Sequence, residues 1–108
     1  MAIRKGRRFE YTVRDYLRCM GYEVIRSAGS RGPADLLAGD GRHVLAIQCK
    51  INGDIRPRER ERLVEFARKF RAMPVLAFKG KKGVEFRYVH PSRCTVNKEL
   101  LDALRIRH

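Results

Sequence analysis

The fold is decided by the stretch ADLLAGDGRHVLAIQCK, residues 34–50, in which two apolar runs flank an Asp-Gly pair. Such a pair between apolar runs is a strong short-range signal for a β-hairpin. With Asp40-Gly41 as the two turn residues, Asp35 lies opposite Ala46 and diagonal to Gln48. Because side chains alternate along a strand, one face of the hairpin then carries Asp35, Ala46, Gln48 and Lys50. An acid, an amide and a cation on one face indicate a site rather than a core.

The composition indicates an anionic partner. The chain has 108 residues, the size of one domain, with 25 Lys and Arg against 12 Asp and Glu, and a formal net charge of +13. The commonest partner of so basic a chain is a phosphate backbone, although charge alone does not identify an enzyme. No apolar run approaches the roughly 20 residues that span a bilayer. The basic N-terminus has no apolar segment behind it, so we expect no signal peptide, no membrane partner and an intracellular, cytoplasmic protein.

Several other chemistries lack their motifs. Cys19, Cys49 and Cys94 are an odd set without CxxC spacing, which favours reduced, buried thiols over a zinc site. The segment Gly80–Gly83 is predicted to be a hairpin turn and lacks the spacing of a phosphate-binding loop, so we expect no nucleotide cofactor. No Gly-x-Ser-x-Gly sequence occurs, and nucleophilic serine chemistry is therefore not expected.

The remaining periodicities predict a mixed α/β fold. Residues 3–21 have the apolar spacing of a helix, with Glu10 on the flank of the apolar stripe. Pro57 suits the first turn of a second helix, and Asn97 is predicted to cap a short third helix. The predicted strands cover residues 22–27, 34–38, 43–50, 74–78 and 84–89. The order α-β-β-β-α-β-β-α implies a mixed β-sheet flanked by helices, with a parallel crossover between residues 43 and 78.

The residues gathered near the hairpin support metal-dependent phosphodiester chemistry. Magnesium prefers oxygen ligands and keeps several waters, so one or two side chains are enough to hold it. Asp35 offers a carboxylate, Gln48 a carbonyl oxygen, and Glu10 a second carboxylate, directly or through water. Cys49 offers its backbone oxygen while its side chain faces away. Lys50 adds the positive charge that a developing phosphorane requires.

These residues resemble two nested families of nucleases. The pattern of the PD-(D/E)XK nuclease superfamily is matched by Glu10 on a first helix, Pro33-Ala34-Asp35 after a turn, and Gln48-Cys49-Lys50 on the next strand. More narrowly, the chain resembles the archaeal Holliday junction resolvases of the Hjc type. That likeness adds Arg-Ser-Ala-Gly-Ser at residues 26–30 and the helix that carries Phe66 and Phe70. It extends from about Arg4 to Val89.

The resemblance implies a restriction-endonuclease-like fold, with residues 1–108 forming a single nuclease domain. It further implies a homodimer that uses Mg²⁺, with Mn²⁺ as the alternative ion, to place paired nicks in a four-way DNA junction. The implied catalytic residues are Glu10, Asp35, Gln48, Lys50 and Ser30. The expected metal ligands are Glu10, Asp35, Gln48 and Cys49. Residues expected to contact DNA are Arg4, Lys5, Arg7, Arg8, Arg26, Arg31 and Arg56, and the residues implied at the dimer interface are Phe66 and Phe70.

Some interpretations stay open at this point. The resolvases generally have glutamate where this chain has Gln48, which removes one negative charge, although restriction endonucleases of the Mrr type resemble this chain in having Gln-x-Lys. Another nuclease of the same fold, Mrr-like or involved in repair and cutting duplex or single-stranded DNA, is therefore one alternative. A basic DNA-binding module without catalysis is another. Phe66 and Phe70 also suit a core, and the mixed-charge run at residues 58–62 is interpreted as a solvated face.

Overall fold

The computed structural model describes residues 5–27, 32–91, 93–95 and 97–104, without the side chains of Arg93 and Cys94. The elements in chain order are α1 (Lys5–Cys19), β1 (Glu23–Arg26), β2 (Leu36–Gly39), β3 (Val44–Cys49), α2 (Pro57–Lys69), β4 (Met73–Gly80), β5 (Gly83–His90), β6 (Arg93–Thr95) and α3 (Lys98–Ala103). The predicted α/β order is confirmed, with β6 as one additional strand.

The strands form one six-stranded sheet in the order β1-β2-β3-β4-β5-β6. Neighbouring strands are antiparallel except β3 and β4, which are parallel as the crossover through α2 requires. The sequence does not predict the strand β6 because its three residues, Arg93–Thr95, are too few to show an alternating pattern. None of the described helices is long and apolar enough to cross a membrane.

The helix ends follow the local signals in the sequence. Gly21 adopts a φ of 94° just after α1, a left-handed conformation that glycine adopts without steric cost. Pro57 occupies the first position of α2, where its missing N–H is not needed. The Asn97 side chain accepts a hydrogen bond of 2.7 Å from the Leu100 N–H and caps α3 as predicted.

Helices cover both faces of the sheet. On one face, α1 and α3 bury side chains that include Val13, Leu17 and Leu100 against Leu45 and Ile47 of β3. On the other face, α2 buries Leu63 and Ala67 against β3 and β4. Residues 45–47 of β3 are thus buried between the helices of the two faces, and this part of the strand supports Gln48 and Cys49 at its end.

The turn between β2 and β3 lies one residue later than predicted. The Asp40 N–H donates to the His43 carbonyl at 3.2 Å, so these two residues flank a turn formed by Gly41 and Arg42. Asp40 Oδ1 accepts the N–H groups of Arg42 and His43 at 2.9 and 2.6 Å. Because this side chain caps the loop, Asp40 begins the turn and Gly41, with φ 92°, is its first central residue.

The later turn changes the partner of each residue but not its face. Leu36 pairs with Ile47, so the register places Asp35 opposite Gln48, and the predicted pairing of Asp35 with Ala46 is wrong. A change of two positions keeps every side chain on its predicted side of the sheet. As a result, Asp35 and Gln48 lie closer together than the sequence indicated.

Candidate active site

Asp35 is held in place by backbone bonds to both neighbouring strands. Its N–H donates to the Ile47 carbonyl at 2.8 Å, and its carbonyl accepts the Ser27 N–H at 2.8 Å. The side-chain atom Oδ2 accepts the Cys49 N–H, also at 2.8 Å. Only 6% of the residue is exposed. The carboxylate therefore has a fixed orientation at the edge where β3 ends and β2 begins.

Glu10 approaches this edge from α1, on the opposite face of the sheet from α2. It is buried, with 8% of its surface exposed, although it was predicted only on the flank of the apolar stripe. Arg26, at the end of β1, lies with Nη1 at 3.3 Å from Glu10 Oε1 and with its guanidinium over the Tyr11 ring. Arg26 was expected to contact DNA, and in the structure it partly neutralises the Glu10 carboxylate.

The two carboxylates are electrostatically unfavourable in the metal-free protein. Burial raises the pKa of Glu10, the charge of Asp35 raises it further, and Arg26 opposes both effects. Burial also raises the pKa of Asp35, against the lowering effects of the Cys49 N–H and of Lys50. Incomplete solvation and mutual repulsion both disfavour the ionised pair, so a cation placed between the two groups would relieve them.

The available donors fit a hard divalent cation such as Mg²⁺. They are the carboxylates of Asp35 and Glu10, the side-chain oxygen of half-buried Gln48, and the backbone oxygen of Cys49. Burial, with the charges of Asp35 and Glu10, raises the pKa of the Cys49 thiol, so its sulfur stays protonated and is a poor ligand. Within the described residues no group of three His, Cys, Asp or Glu side chains comes together.

Lys50 lies at the same edge and is paired with Glu59, a residue that no motif in the sequence singles out. Its Nζ is 2.7 Å from Oε2 of Glu59 in α2. The other oxygen of Glu59 accepts the Arg56 N–H at 3.2 Å. The mixed-charge run at residues 58–62, to which Glu59 belongs, predicts only a solvated face. One sequence feature does indicate a role for Glu59. Pro57 at the first helical position makes Glu59 the third, where an acidic side chain bonds back to the backbone at the helix start.

Basic residues surround the edge. Lys5, Arg7, Arg8 and Arg56 are all exposed, and Arg7 is close enough to Glu10 to lower its pKa. A groove of about 410 Å³ joins the start of α1 to the end of β3 and is lined by Lys5, Gly6, Phe9, Cys49, Lys50, Ile51 and Asn52. A second groove, of about 300 Å³, is lined in part by Lys79, a basic residue that is absent from the predicted DNA contacts. Arg4, Ser30 and Arg31 lie outside the described residues, so their roles stay predictions.

Phe66 and Phe70 form a pair on the outer side of α2. Their ring centroids are 4.7 Å apart, and Phe70 is 53% exposed, while Phe66 is half-buried. A groove of about 380 Å³ lies beside them, between α2 and Pro33. The alternative of a purely core role does not hold for Phe70, since half of it faces solvent.

Comparison with known proteins connects this geometry to one family. A family model described as archaeal Holliday junction resolvase (Hjc) matches residues 1–104. The chain is 40% identical over 80 residues to the crossover junction endodeoxyribonuclease Hjc of Methanocaldococcus jannaschii, a match that covers 70% of this chain and 59% of that protein. It also superimposes on the solved structure of Archaeoglobus fulgidus Hjc, a Holliday junction resolvase, with a TM-score of 0.69 and 30% identity over 90% of this chain and 87% of that one.

Proposed function

Because this chain belongs to the archaeal Holliday junction resolvase family, we propose that it is a metal-dependent endonuclease that resolves four-way DNA junctions by paired nicks. The observation that carries the proposal is the placement of Asp35. The main chain of this buried residue is bonded to both neighbouring strands, and its carboxylate accepts the Cys49 N–H. The carboxylate also lies within electrostatic range of both Glu10 and Lys50. A structural role alone gives no reason to keep two poorly solvated acids together.

Each residue of the site then has a chemical role. Glu10, Asp35, Gln48 and the Cys49 carbonyl would hold Mg²⁺, or Mn²⁺ in its place, which supplies Lewis-acid activation of the scissile phosphate and of water. Lys50 donates to a phosphoryl oxygen and stabilises the charge that grows on it as water attacks. From the family resemblance, Ser30 and Arg26 are proposed to act on the scissile phosphate, although Ser30 lies outside the described residues.

The DNA would lie across the basic surface at this end of the sheet. Residues proposed to contact its backbone are Arg4, Lys5, Arg7, Arg8, Arg26, Arg31 and Arg56, with Lys79 in addition. Contacts of this kind position DNA without reading its sequence, which suits an enzyme selective for the shape of a junction. A chain with this substrate would work inside the cell, and residues 1–108 would act as a single nuclease domain.

Paired cuts in opposed strands require two sites related by two-fold symmetry, so we propose a homodimer. The exposed Phe70 ring, the adjoining Phe66 and the groove beside them are the apolar surface proposed for the interface. Phe70→Ala is expected to shift the protein from dimer to monomer in analytical ultracentrifugation. An unchanged dimer would place the interface elsewhere.

The function is tested by incubating the protein with a synthetic four-way junction and with a duplex of matched sequence, each with Mg²⁺ and with a chelator. Paired nicks in the junction alone, abolished by the chelator and by Asp35→Asn, are the expected result. Cleavage of the duplex at a comparable rate would instead indicate another nuclease of the same fold. Salt-sensitive binding without any cut would indicate a DNA-binding module without catalysis, because binding strength alone does not separate these classes.

A further inference from the structure

The ion pair between Lys50 and Glu59 joins the site edge to the start of α2. The two groups lie 2.7 Å apart, and their side chains are 30% and 33% exposed. They are nine positions apart in sequence and belong to different elements, unlike the Glu65–Arg68 pair within α2 itself. The Lys50–Glu59 pair is therefore part of the tertiary structure of the site and not a local helix contact.

Both ends of Lys50 are held. Its backbone N–H donates to the Ala77 carbonyl of β4 at 2.9 Å, and its Nζ is held by Glu59 Oε2. A lysine side chain has four rotatable bonds, and their freedom must be lost when its ammonium group meets a phosphate. A partner that orders the side chain before DNA binds removes part of that loss from the reaction.

Glu59 is itself fixed. Its Oε1 accepts the Arg56 N–H at 3.2 Å, so the carboxylate is bound at one oxygen by the helix start and at the other by Lys50. An ammonium group has three donors, and the bond to Glu59 uses one of them. That bond leaves the other two donors of Lys50, and the electrostatic environment of Asp35 includes both Lys50 and Glu59.

We propose that Glu59 is a positioning residue: it orders Lys50 beside Asp35 for the transition state of phosphodiester cleavage. This inference rests on the proposed nuclease function and adds a residue to it. Glu59 does not touch the DNA or the metal and acts only through Lys50. Its removal should lower the rate of the chemical step and leave junction affinity unchanged or slightly higher, because one negative charge leaves a basic surface.

The test compares Glu59→Gln with Glu23→Gln in the full chain. A glutamine at position 59 keeps an oxygen for the Arg56 N–H, so the helix cap is preserved while the ion pair with Lys50 is lost. Glu23 is an exposed residue of β1 that contributes the same charge and lies outside the proposed site and dimer interface, which makes it the matched control. Single-turnover nicking at saturating enzyme and Mg²⁺ measures the chemical step, and band-shift titration measures the junction Kd.

The expected result is a single-turnover rate about ten- to a hundredfold lower in Glu59→Gln, with an unchanged or lower Kd and wild-type behaviour in Glu23→Gln. Nuclear spin relaxation of the Lys50 ammonium group, measured without DNA or metal, should show greater motion in Glu59→Gln than in wild type. An unchanged or faster nicking rate would overturn the inference while leaving the nuclease intact, as would equal loss in both variants. Failure of the wild-type chain to cut any DNA would refute the proposed function and the inference together.

Discussion

Replacing Asp35 by asparagine is expected to abolish cleavage and at the same time to stabilise the metal-free protein. The wild-type carboxylate is 6% exposed, and burial raises its pKa, so the ionised form lowers the free energy of unfolding at neutral pH. Its charge also raises the pKa of Glu10, and that repulsion disappears with the substitution. Asparagine keeps an oxygen for the Cys49 N–H, so the bond of 2.8 Å has an acceptor in both proteins.

A comparison with Asp35→Ala gives the expected size of the difference in Tm. The alanine variant removes the same charge but leaves the Cys49 N–H without its acceptor, which costs about 1–3 kcal/mol for a buried donor. For a domain of this size, 1 kcal/mol corresponds to about 4 °C in Tm. Asp35→Asn should therefore unfold about 4–12 °C above Asp35→Ala, and above wild type as well.

The assay is thermal unfolding followed by circular dichroism, in chelator, from pH 7 downward. A carboxyl group whose pKa is raised by folding binds its proton more tightly in the folded state. The wild type therefore gains stability relative to Asp35→Asn as the pH falls through the raised pKa toward the ordinary value of 3.8. Adding Mg²⁺ at pH 7 should stabilise the wild type and leave Asp35→Asn unchanged, because only the wild type binds the ion well.

Two results would refute this reasoning. If Asp35→Asn unfolded below the wild type at pH 7, the buried charge would be stabilising and not costly. If the difference in Tm between them did not change with pH, the titration of Asp35 would not contribute to stability, and the electrostatic description of the site would be wrong.

The remaining predictions concern a ligand, a thiol and a helix cap. Gln48→Glu restores the acid typical of the family and should lower the Mg²⁺ concentration that half-saturates the rise in Tm by about tenfold; no change would remove Gln48 from the ligand set. Cys49 should react with iodoacetamide more slowly than the exposed Cys19 at pH 8, because burial raises the pKa of the Cys49 thiol. Peptide mass mapping measures the labelling, and equal labelling of the two cysteines would contradict the prediction. Asn97→Ala should lower the free energy of unfolding by about 1 kcal/mol in urea titrations, since α3 loses its cap; a loss of only a few tenths would show that the cap contributes little.

Much of the fold was predictable because its local signals agree with its packing. Gly21, Pro57 and Asn97 mark helix ends where the structure has them. The hairpin that carries Asp35 was also predictable, but its turn was not, since Asp-Gly suits two positions of a turn. The hydrogen bonds that Asp40 Oδ1 accepts from the N–H groups of Arg42 and His43 decide between the two turn positions.

The features of the site that the sequence does not predict depend on contacts between separate elements. Asp35, Gln48 and Lys50 could be grouped from strand alternation alone, because they lie on one hairpin. Glu59 could not be, because its role depends on where α2 begins relative to the end of β3. The pairing of Glu10 with Arg26 likewise joins elements whose contact no local pattern predicts.

If Glu10, Asp35 and Gln48 bind one catalytic cation beside Lys50, anomalous diffraction from crystals soaked in Mn²⁺ should locate it. A peak bounded by oxygens of those three side chains and by the Cys49 carbonyl, and lost in Asp35→Asn crystals, is the predicted result. A strong peak elsewhere on the chain, with none between the carboxylates of Glu10 and Asp35, would contradict it.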